Sequence, residues 1–228
     1  MSNRFKSRYD DDINLFEGRW HLAQYALLVA LLLAAPWLLG TYYLGELTAV
    51  LIWSLAGLGL MLISGHTGQV SLGHAAFMAI GAFTNLALMM RGWHFIPALL
   101  ASAVTSGVLG AIISRPILRM SGIYLAIATL ALSIIIEDVS IIAEPITGGV
   151  AGLFAPPIDM FGLKIDRYTS PAAFYYLCLT VLVIVTLGYL NLLRSASGRS
   201  FLAVRDSEVS ARALGVNVAR AKTLSFAL

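Results

Sequence analysis

The sequence predicts an all-α protein that crosses a membrane at least six times. Of its 228 residues, 59% are hydrophobic and 12% are charged, whereas about 25% of the residues of a soluble domain are charged. The apolar residues gather in runs of about 20, the length that a helix needs to cross the hydrocarbon core of a bilayer. The alternating segments of a transmembrane barrel are not evident. These observations indicate an integral membrane protein built from helices.

Composition also excludes other classes of protein. A single cysteine, Cys178, excludes a disulfide framework and a cysteine-based metal cluster. The net charge is only +3, and the basic residues are not interleaved with aromatic residues on one face, so nucleic-acid binding is not indicated.

The elements follow from the apolar runs in order. A polar N-terminal segment, 1–20, precedes the first run and lacks the cleavage site of a signal peptide. Pro97 and Pro171 stand near the starts of two runs, where the missing N–H of proline costs nothing. A last apolar run, 223–228, is interpreted as the start of a seventh span at which the chain is truncated. The six spans predicted within the membrane domain, 21–193, are 21–40, 46–64, 71–90, 96–114, 123–143 and 171–193.

The distribution of Lys and Arg predicts the orientation. With the N-terminus in the cytoplasm, twelve of the 15 basic residues lie in inside segments, as the positive-inside rule requires. The remaining three are Arg91, Lys164 and Arg167.

The fourth span carries two rows of small residues at four-residue spacing. Such rows let membrane helices approach closely, since lipid supplies no hydrophobic reason for helices to associate. We therefore expect close packing around this span. The rows are Ala103, Gly107, Ala111 and Ser102, Ser106, Gly110, Ser114.

The segment Ser64–His74 is unusually polar and rich in glycine for a membrane protein. Irregular backbone at membrane depth is tolerated only where it is buried in protein or lines water. One interpretation is a bent element that lines a solute path, and the alternative is a short cytoplasmic loop with polar helix caps. A metal site at His66 and His74 is disfavoured because no carboxylate or cysteine is close in sequence. The path candidates here are Gly65, His66, Gly68, Gln69, Ser71 and His74.

Two further polar features lie near the predicted outer end of the fifth span. Glu137 and Asp138 are either intramembrane carboxylates with a coupling role or groups solvated at the interface. The segment Pro145–Leu153 follows as a glycine-rich outer turn, which would place backbone amides at the solute entrance. The path candidates in it are Thr147, Gly148 and Gly149.

The segment 194–222 is predicted to be a cytoplasmic loop that contains one short helix. Asp206 or Ser207 can cap its start, Gly215 is a natural stop, and Glu208 can pair with Arg212 four residues later. The apolar face of a helix over Glu208–Leu214 is small. We therefore favour docking to a cytoplasmic partner over resting on the lipid surface.

Four stretches of the chain, in the same order, resemble the branched-chain amino acid permeases of ABC transporters, the LivM/LivH type. The stretches are SGHTGQVSLGHAAFMAIGAF from Ser64, SGIYLAIATLAL from Ser121, ITGGVAGL from Ile146 and GRSFLAVRDSEVSARALGVNVARAK from Gly198. His66 stands where this family commonly has an aromatic residue. Permeases for urea and short amides are similar to this group, so they remain an alternative for the substrate.

The resemblance implies the permease subunit of an ATP-driven importer in the bacterial inner membrane. The chain has no G-x-x-x-x-G-K-[ST] loop, so ATP and magnesium are expected in a partner and no cofactor or catalytic residue in this chain. The implied partners are cytoplasmic ATP-binding cassette subunits, a second permease subunit, a periplasmic or lipid-anchored solute-binding protein and membrane lipid. The implied ATPase-coupling residues are Glu208, Ala211, Arg212, Leu214 and Gly215.

Two rivals come from other classes. A channel or secondary transporter would need paired intramembrane charges or two related halves, and Glu137 and Asp138 are the only candidate charges. An intramembrane enzyme using His66 and His74 would lack a nucleophile or a third ligand.

Overall fold

The computed structural model describes residues 19–117, 120, 122–160 and 163–228. The predicted N-terminal segment therefore lies outside the described residues up to position 18, as does Arg119. The helices are α1 (Arg19–Leu38), α2 (Thr41–Leu60), α3 (His74–Met90), α4 (Phe95–Ile117), α5 (Ile123–Ile142), α6 (Glu144–Thr147), α7 (Pro171–Arg194), α8 (Ala196–Asp206), α9 (Glu208–Ala213) and α10 (Val218–Ala227).

Three short elements complete the described chain. A π-helical turn, Met61–His66, continues α2, and a 3₁₀ turn, Gly149–Ala151, follows α6. Strands β1 (Ile158–Met160) and β2 (Leu163–Ile165) form an antiparallel hairpin that the sequence did not predict. The prediction of an all-α membrane protein is confirmed apart from this hairpin.

Four helical stretches of the described chain are long and apolar enough to cross a membrane: Thr41–His66, Phe95–Ser114, Ile123–Ile142 and Pro171–Arg194. They coincide with predicted spans two, four, five and six. Ala23–Leu38 and His74–Met90 are apolar but shorter. Among the described residues, four of the six predicted spans are therefore long enough to cross a membrane. The third predicted span, 71–90, is shortened because its helix begins only at His74, after an irregular stretch over 67–73.

A proline in α1 explains how this helix packs against α7. Pro36 has no N–H, so the carbonyl of Leu32 one turn earlier loses its helical donor. The hydroxyl of Tyr175, which is fully buried, donates to that carbonyl at 2.8 Å. Around this bond α1, α2 and α7 share one apolar core, formed by Ala35, Leu44, Leu51, Tyr175 and Leu179.

Tyr175→Phe is expected to lower the free energy of unfolding by about 1–3 kcal/mol, because it leaves a partly buried carbonyl without a donor. Tyr176→Phe is the matched control. Its hydroxyl donates to the carbonyl of Leu33 at 2.8 Å, but that carbonyl keeps the N–H of Trp37 as its regular helical donor. Thermal unfolding of both variants in one detergent measures the difference, and equal losses would contradict the role assigned to Pro36.

The small-residue rows of α4 lie against α10 and α3. A Cβ atom added to Gly110 would lie 2.5 Å from the carbonyl oxygen of Phe226, and one added to Gly107 would lie 2.6 Å from that of Ala227. Ser106 donates to the carbonyl of Phe77 in α3 at 2.8 Å. The expected close packing of this span is confirmed, because side chains larger than hydrogen would hold the α10 backbone away.

The segment after α7 is a packed unit of three helices, α8 to α10, rather than a loop with one helix. Helix α8 was not predicted, although Ser195 caps it by accepting the N–H of Gly198 at 3.4 Å. Helix α10 begins at Val218, not at 223, because the side chain of Asn217 caps its first turn. The buried residues that hold this α8–α10 unit to the π-helical turn are Leu62, Phe201, Val204, Ala211, Val218 and Ala221.

Candidate functional site

The polar segment found in the sequence leaves α2 through the π-helical turn. The hydroxyl of Thr67 donates to the carbonyl of Leu62 at 2.7 Å, and the N–H of Gln69 donates to the carbonyl of Ile63 at 3.1 Å. These two bonds supply donors to carbonyls at the end of the helix that have no helical donor of their own. The chain changes direction at Gly68, which has a φ of 68°, a conformation that glycine adopts without steric cost.

Residues 67–73, called here the inner segment, are held by other helices. The side-chain amide of Gln69 donates to the hydroxyl of Ser225 in α10 at 2.9 Å. The N–H of Leu72 donates to the hydroxyl of Thr129 in α5 at 3.0 Å. A Cβ atom on Gly73 would overlap the backbone carbonyl of Thr129. The inner segment is therefore seated in protein, which the simple interpretation as a solvated loop with caps did not anticipate.

Several polar atoms of this region are buried without a protein partner. They include the side-chain oxygen of Gln69 and the hydroxyl of Ser71. Buried polar atoms usually have a hydrogen-bond partner, so these acceptors favour contact with water or a polar solute.

The two histidines of the segment face different partners. Nδ1 of His66 lies 3.0 Å from the hydroxyl of Tyr189 in α7. His74 lies against Gly59 of α2, where an added Cβ atom would come within 2.9 Å of its ring. Among the residues that the structure describes, no group of three His, Cys, Asp or Glu side chains could hold a metal ion.

An arginine of α8 fastens the unit to the π-helical turn. Nη1 of Arg205 donates to the carbonyl of Gly65 at 3.0 Å, a position where a cation stabilises the C-terminal end of a helix. The same side chain packs on Gly68, because a Cβ atom there would come within 2.9 Å of Cγ of Arg205. Gly65 and Gly68 thus both contact Arg205, a residue of the predicted cytoplasmic loop, 194–222.

Helix α9 carries the caps that the sequence predicted. The hydroxyl of Ser207 accepts the N–H of Ser210 at 3.3 Å. At the other end the N–H groups of Gly215 and Val216 donate to the carbonyls of Arg212 and Ala211 at 3.0 and 2.9 Å, the pattern of a Schellman motif. Gly215 has a φ of 84°. Strong caps at both ends let six residues hold a helix.

The five predicted coupling residues divide into buried and exposed ones. Ala211 is buried in the core of the α8–α10 unit, whereas Leu214 is 81% exposed and Val209 is 80% exposed. The side chain of Arg212 is 70% exposed. The tip of α9 is defined here as two of these five residues, Arg212 and Leu214, together with the neighbouring Val209, which was not predicted.

The structure gives Glu208 a stronger partner than the predicted Arg212. Nη2 of Arg212 is 3.9 Å from Glu208, but Nζ of Lys222 in α10 is 2.6 Å from Glu208 Oε1. The Lys222 side chain is only 8% exposed. The sequence analysis did not predict this role for Lys222, because the pair joins two different helices and its burial is visible only in the structure.

Some of these residues line a small polar cavity of about 140 Å³. This polar cavity lies between the inner segment, the start of α5 and the α8–α10 unit. Its lining includes Thr67, Gly68, Gln69, Gly122, Val204, Arg205, Glu208 and Lys222. The structure thus brings the inner segment and the predicted coupling region to one end of the molecule.

The outer-turn candidates lie elsewhere. Thr147 is buried and donates to the carbonyl of Ala143 at 2.9 Å, while Gly148 and Gly149 have φ values of 76° and 58°. These residues follow the far end of α5, which is 20 residues long, so about 30 Å of helix separates them from the polar cavity. The side chains of Glu137 and Asp138 are exposed.

Comparisons with known proteins give one consistent result. Residues 42–228 match the family model for the permease component of the branched-chain amino acid transport system. The chain is 32% identical to the high-affinity branched-chain amino acid transport system permease protein LivM of Salmonella typhimurium, over 88% of this chain and 52% of that protein. The protein of the same name from Escherichia coli is also 32% identical, over 88% of this chain and 53% of its own length.

The chain spans about half the length of the curated relatives it matches. No solved structure matches it.

Proposed function

The chain belongs to the permease-component family of branched-chain amino acid transport systems, and we propose that it is the membrane-spanning subunit of an ATP-driven importer for branched-chain amino acids. It would work in a bacterial inner membrane with its N-terminus in the cytoplasm. A second permease subunit, cytoplasmic ATP-binding cassette subunits and an outer solute-binding protein, periplasmic or lipid-anchored, would complete the importer. ATP and magnesium would be bound by the cassette subunits.

The tip of α9 supports this proposal most directly. Val209 and Leu214 are about four-fifths exposed on a helix whose base is fixed by Glu208 and Ala211. Covering such a Val or Leu side chain contributes about 1.5–3 kcal/mol, so the tip is suited to a partner with an apolar groove. Arg212 beside them can pair with an acidic rim. This combination favours a cytoplasmic ATPase as the partner.

The inner segment supports the transport role. The oxygens on Gln69 and Ser71 are buried and unpartnered in this conformation. They would become acceptors for a solute when the path opens, and weak binding there would let the transporter release its cargo. Gly65, His66, Gly68 and His74 would shape the inner part of the path. Thr147, Gly148 and Gly149 would shape its outer entrance.

One experiment tests the whole proposal. The full-length protein is purified from native membranes in mild detergent, its companions are identified by mass spectrometry, and the assembly is reconstituted in liposomes with labelled leucine or urea. We expect an ATP-binding cassette subunit to co-purify and leucine uptake to require ATP. Uptake without ATP would establish a channel or secondary transporter, and uptake of urea alone would reassign the substrate.

Gln69→Leu is expected to slow uptake about tenfold while assembly with the ATPase stays intact. The variant removes both the bond to Ser225 and the free side-chain oxygen, and about 1.4 kcal/mol corresponds to a tenfold change. Gln24→Leu is the matched control, because Gln24 lies exposed on α1. The uptake rates of the two variants are compared. Equal rates would contradict a role of Gln69 in the solute path and would leave the inner segment with a structural role only.

A further inference from the structure

We propose that Lys222 and Ser225 of α10 are positioning residues that carry the movement of α9 to the inner segment. The proposal rests on the importer function proposed above and names the route between the ATPase-docking tip and the solute path. A continuous set of contacts runs from Glu208 through α10 to Gln69. Neither Lys222 nor Ser225 was among the residues expected from the sequence.

The first link joins α9 to α10. Nζ of Lys222 lies 2.6 Å from Oε1 of Glu208, and the lysine side chain is 8% exposed while that of Glu208 is 40% exposed. A buried ammonium that loses its counter-charge is strongly destabilised. A displacement of α9 that began to separate the pair would therefore pull α10 along.

The second link joins α10 to the inner segment. Ser225 lies three residues after Lys222, and its hydroxyl donates to the Lys222 carbonyl at 2.8 Å. The same hydroxyl accepts the side-chain amide of Gln69 at 2.9 Å. Ser225 and Gln69 are 1% and 3% exposed, so water does not readily replace this bond.

The surroundings permit a small movement of these groups. Gln69, Glu208 and Lys222 all line the polar cavity of about 140 Å³, which leaves room beside the ion pair of Glu208 and Lys222.

The C-terminal end of α10 is held more closely. The carbonyls of Phe226 and Ala227 lie against Gly110 and Gly107 of α4. A pull at Lys222 would therefore tilt α10 about this close contact and shift Gln69.

The test uses the complete importer in lipid nanodiscs or liposomes, with solute transported per ATP hydrolysed as the readout. Lys222→Met removes the charge but keeps a long side chain suited to a buried site, and Ser225→Ala removes the acceptor for Gln69. Arg220→Gln and Ser200→Ala are matched controls, since Arg220 lies exposed on α10 and the Ser200 hydroxyl donates to the Ala196 carbonyl within α8.

We expect Lys222→Met and Ser225→Ala to lower the transport-to-hydrolysis ratio at least threefold while the ATPase remains bound, and the two controls to leave it unchanged. The exchanged pair Glu208→Lys with Lys222→Glu should recover part of the ratio, which a purely structural loss would not. Normal ratios in both α10 variants, in an importer whose wild type requires ATP, would overturn the relay alone. A wild type that needs no ATP would overturn the proposed function itself.

Discussion

Gly73→Ala is expected to abolish transport and to lower the free energy of unfolding by about 1–3 kcal/mol, the usual cost of overpacking a closely packed site. The added Cβ atom would overlap the backbone carbonyl of Thr129, which cannot rotate away as a side chain could. The inner segment would have to retreat from α5. The 3.0 Å bond from the N–H of Leu72 to Thr129 would then break, and Gln69 would leave its place beside Ser225.

Gly57→Ala is the matched control for this substitution. A Cβ atom on Gly57, in the last turn of α2 before the π-helical turn, meets nothing within 4 Å, and alanine favours a helix over glycine. Uptake and thermal unfolding should be unchanged or improved in this control. A Gly73→Ala protein that transported and unfolded like the wild type would show that the inner segment is not seated against α5.

Gly215→Val is expected to separate ATP hydrolysis from uptake without preventing membrane insertion. Gly215 holds a φ of 84°, and a β-branched residue in a left-handed conformation costs about 1–3 kcal/mol. Relief of that strain would open the Schellman bonds to Ala211 and Arg212. Leu214, at the tip of α9, would be misplaced for docking, so the yield of co-purified ATPase should fall severalfold.

Gly92→Val is the matched control, because it introduces the same backbone strain far from the tip of α9. Gly92 has a φ of 85°, and neither glycine has atoms within 4 Å of an added Cβ, but Gly92 follows α3 at the other end of that helix from the inner segment. Both variants should lose similar stability in thermal unfolding. Only Gly215→Val should lose the ATPase, and loss in both or in neither would contradict docking through α9.

Much of the fold was readable from local patterns. The apolar runs located the long helices, and Ser207 and Gly215 marked the two ends of α9. The small residues of α4 indicated a close neighbour. Each of these features depends on residues adjacent in sequence or one helical turn apart, where spacing alone carries the physical information.

Other features depended on residues far apart in the chain. The partner of Glu208 was expected to be Arg212, but a buried lysine 14 positions away competes better because it has no water to solvate its charge. Helix α8 was not predicted because its buried apolar side chains, Phe201 and Val204, are few and form a core only where Leu62 and Val218 contact them. The inner segment and the predicted cytoplasmic loop, 194–222, looked independent in sequence, but residues of both line one cavity in the structure.

The amino-acid sequence was sufficient to identify a helical membrane protein of the branched-chain amino acid permease family, with a capped short helix after the sixth predicted span. The packing of distant helices was needed to place α10 between that helix and the inner segment, joined to one by Lys222 and to the other by Ser225. The difference comes from the range of the interactions. Hydropathy and capping act within a few residues, whereas the pairing of buried charges and amides is fixed only when distant helices pack.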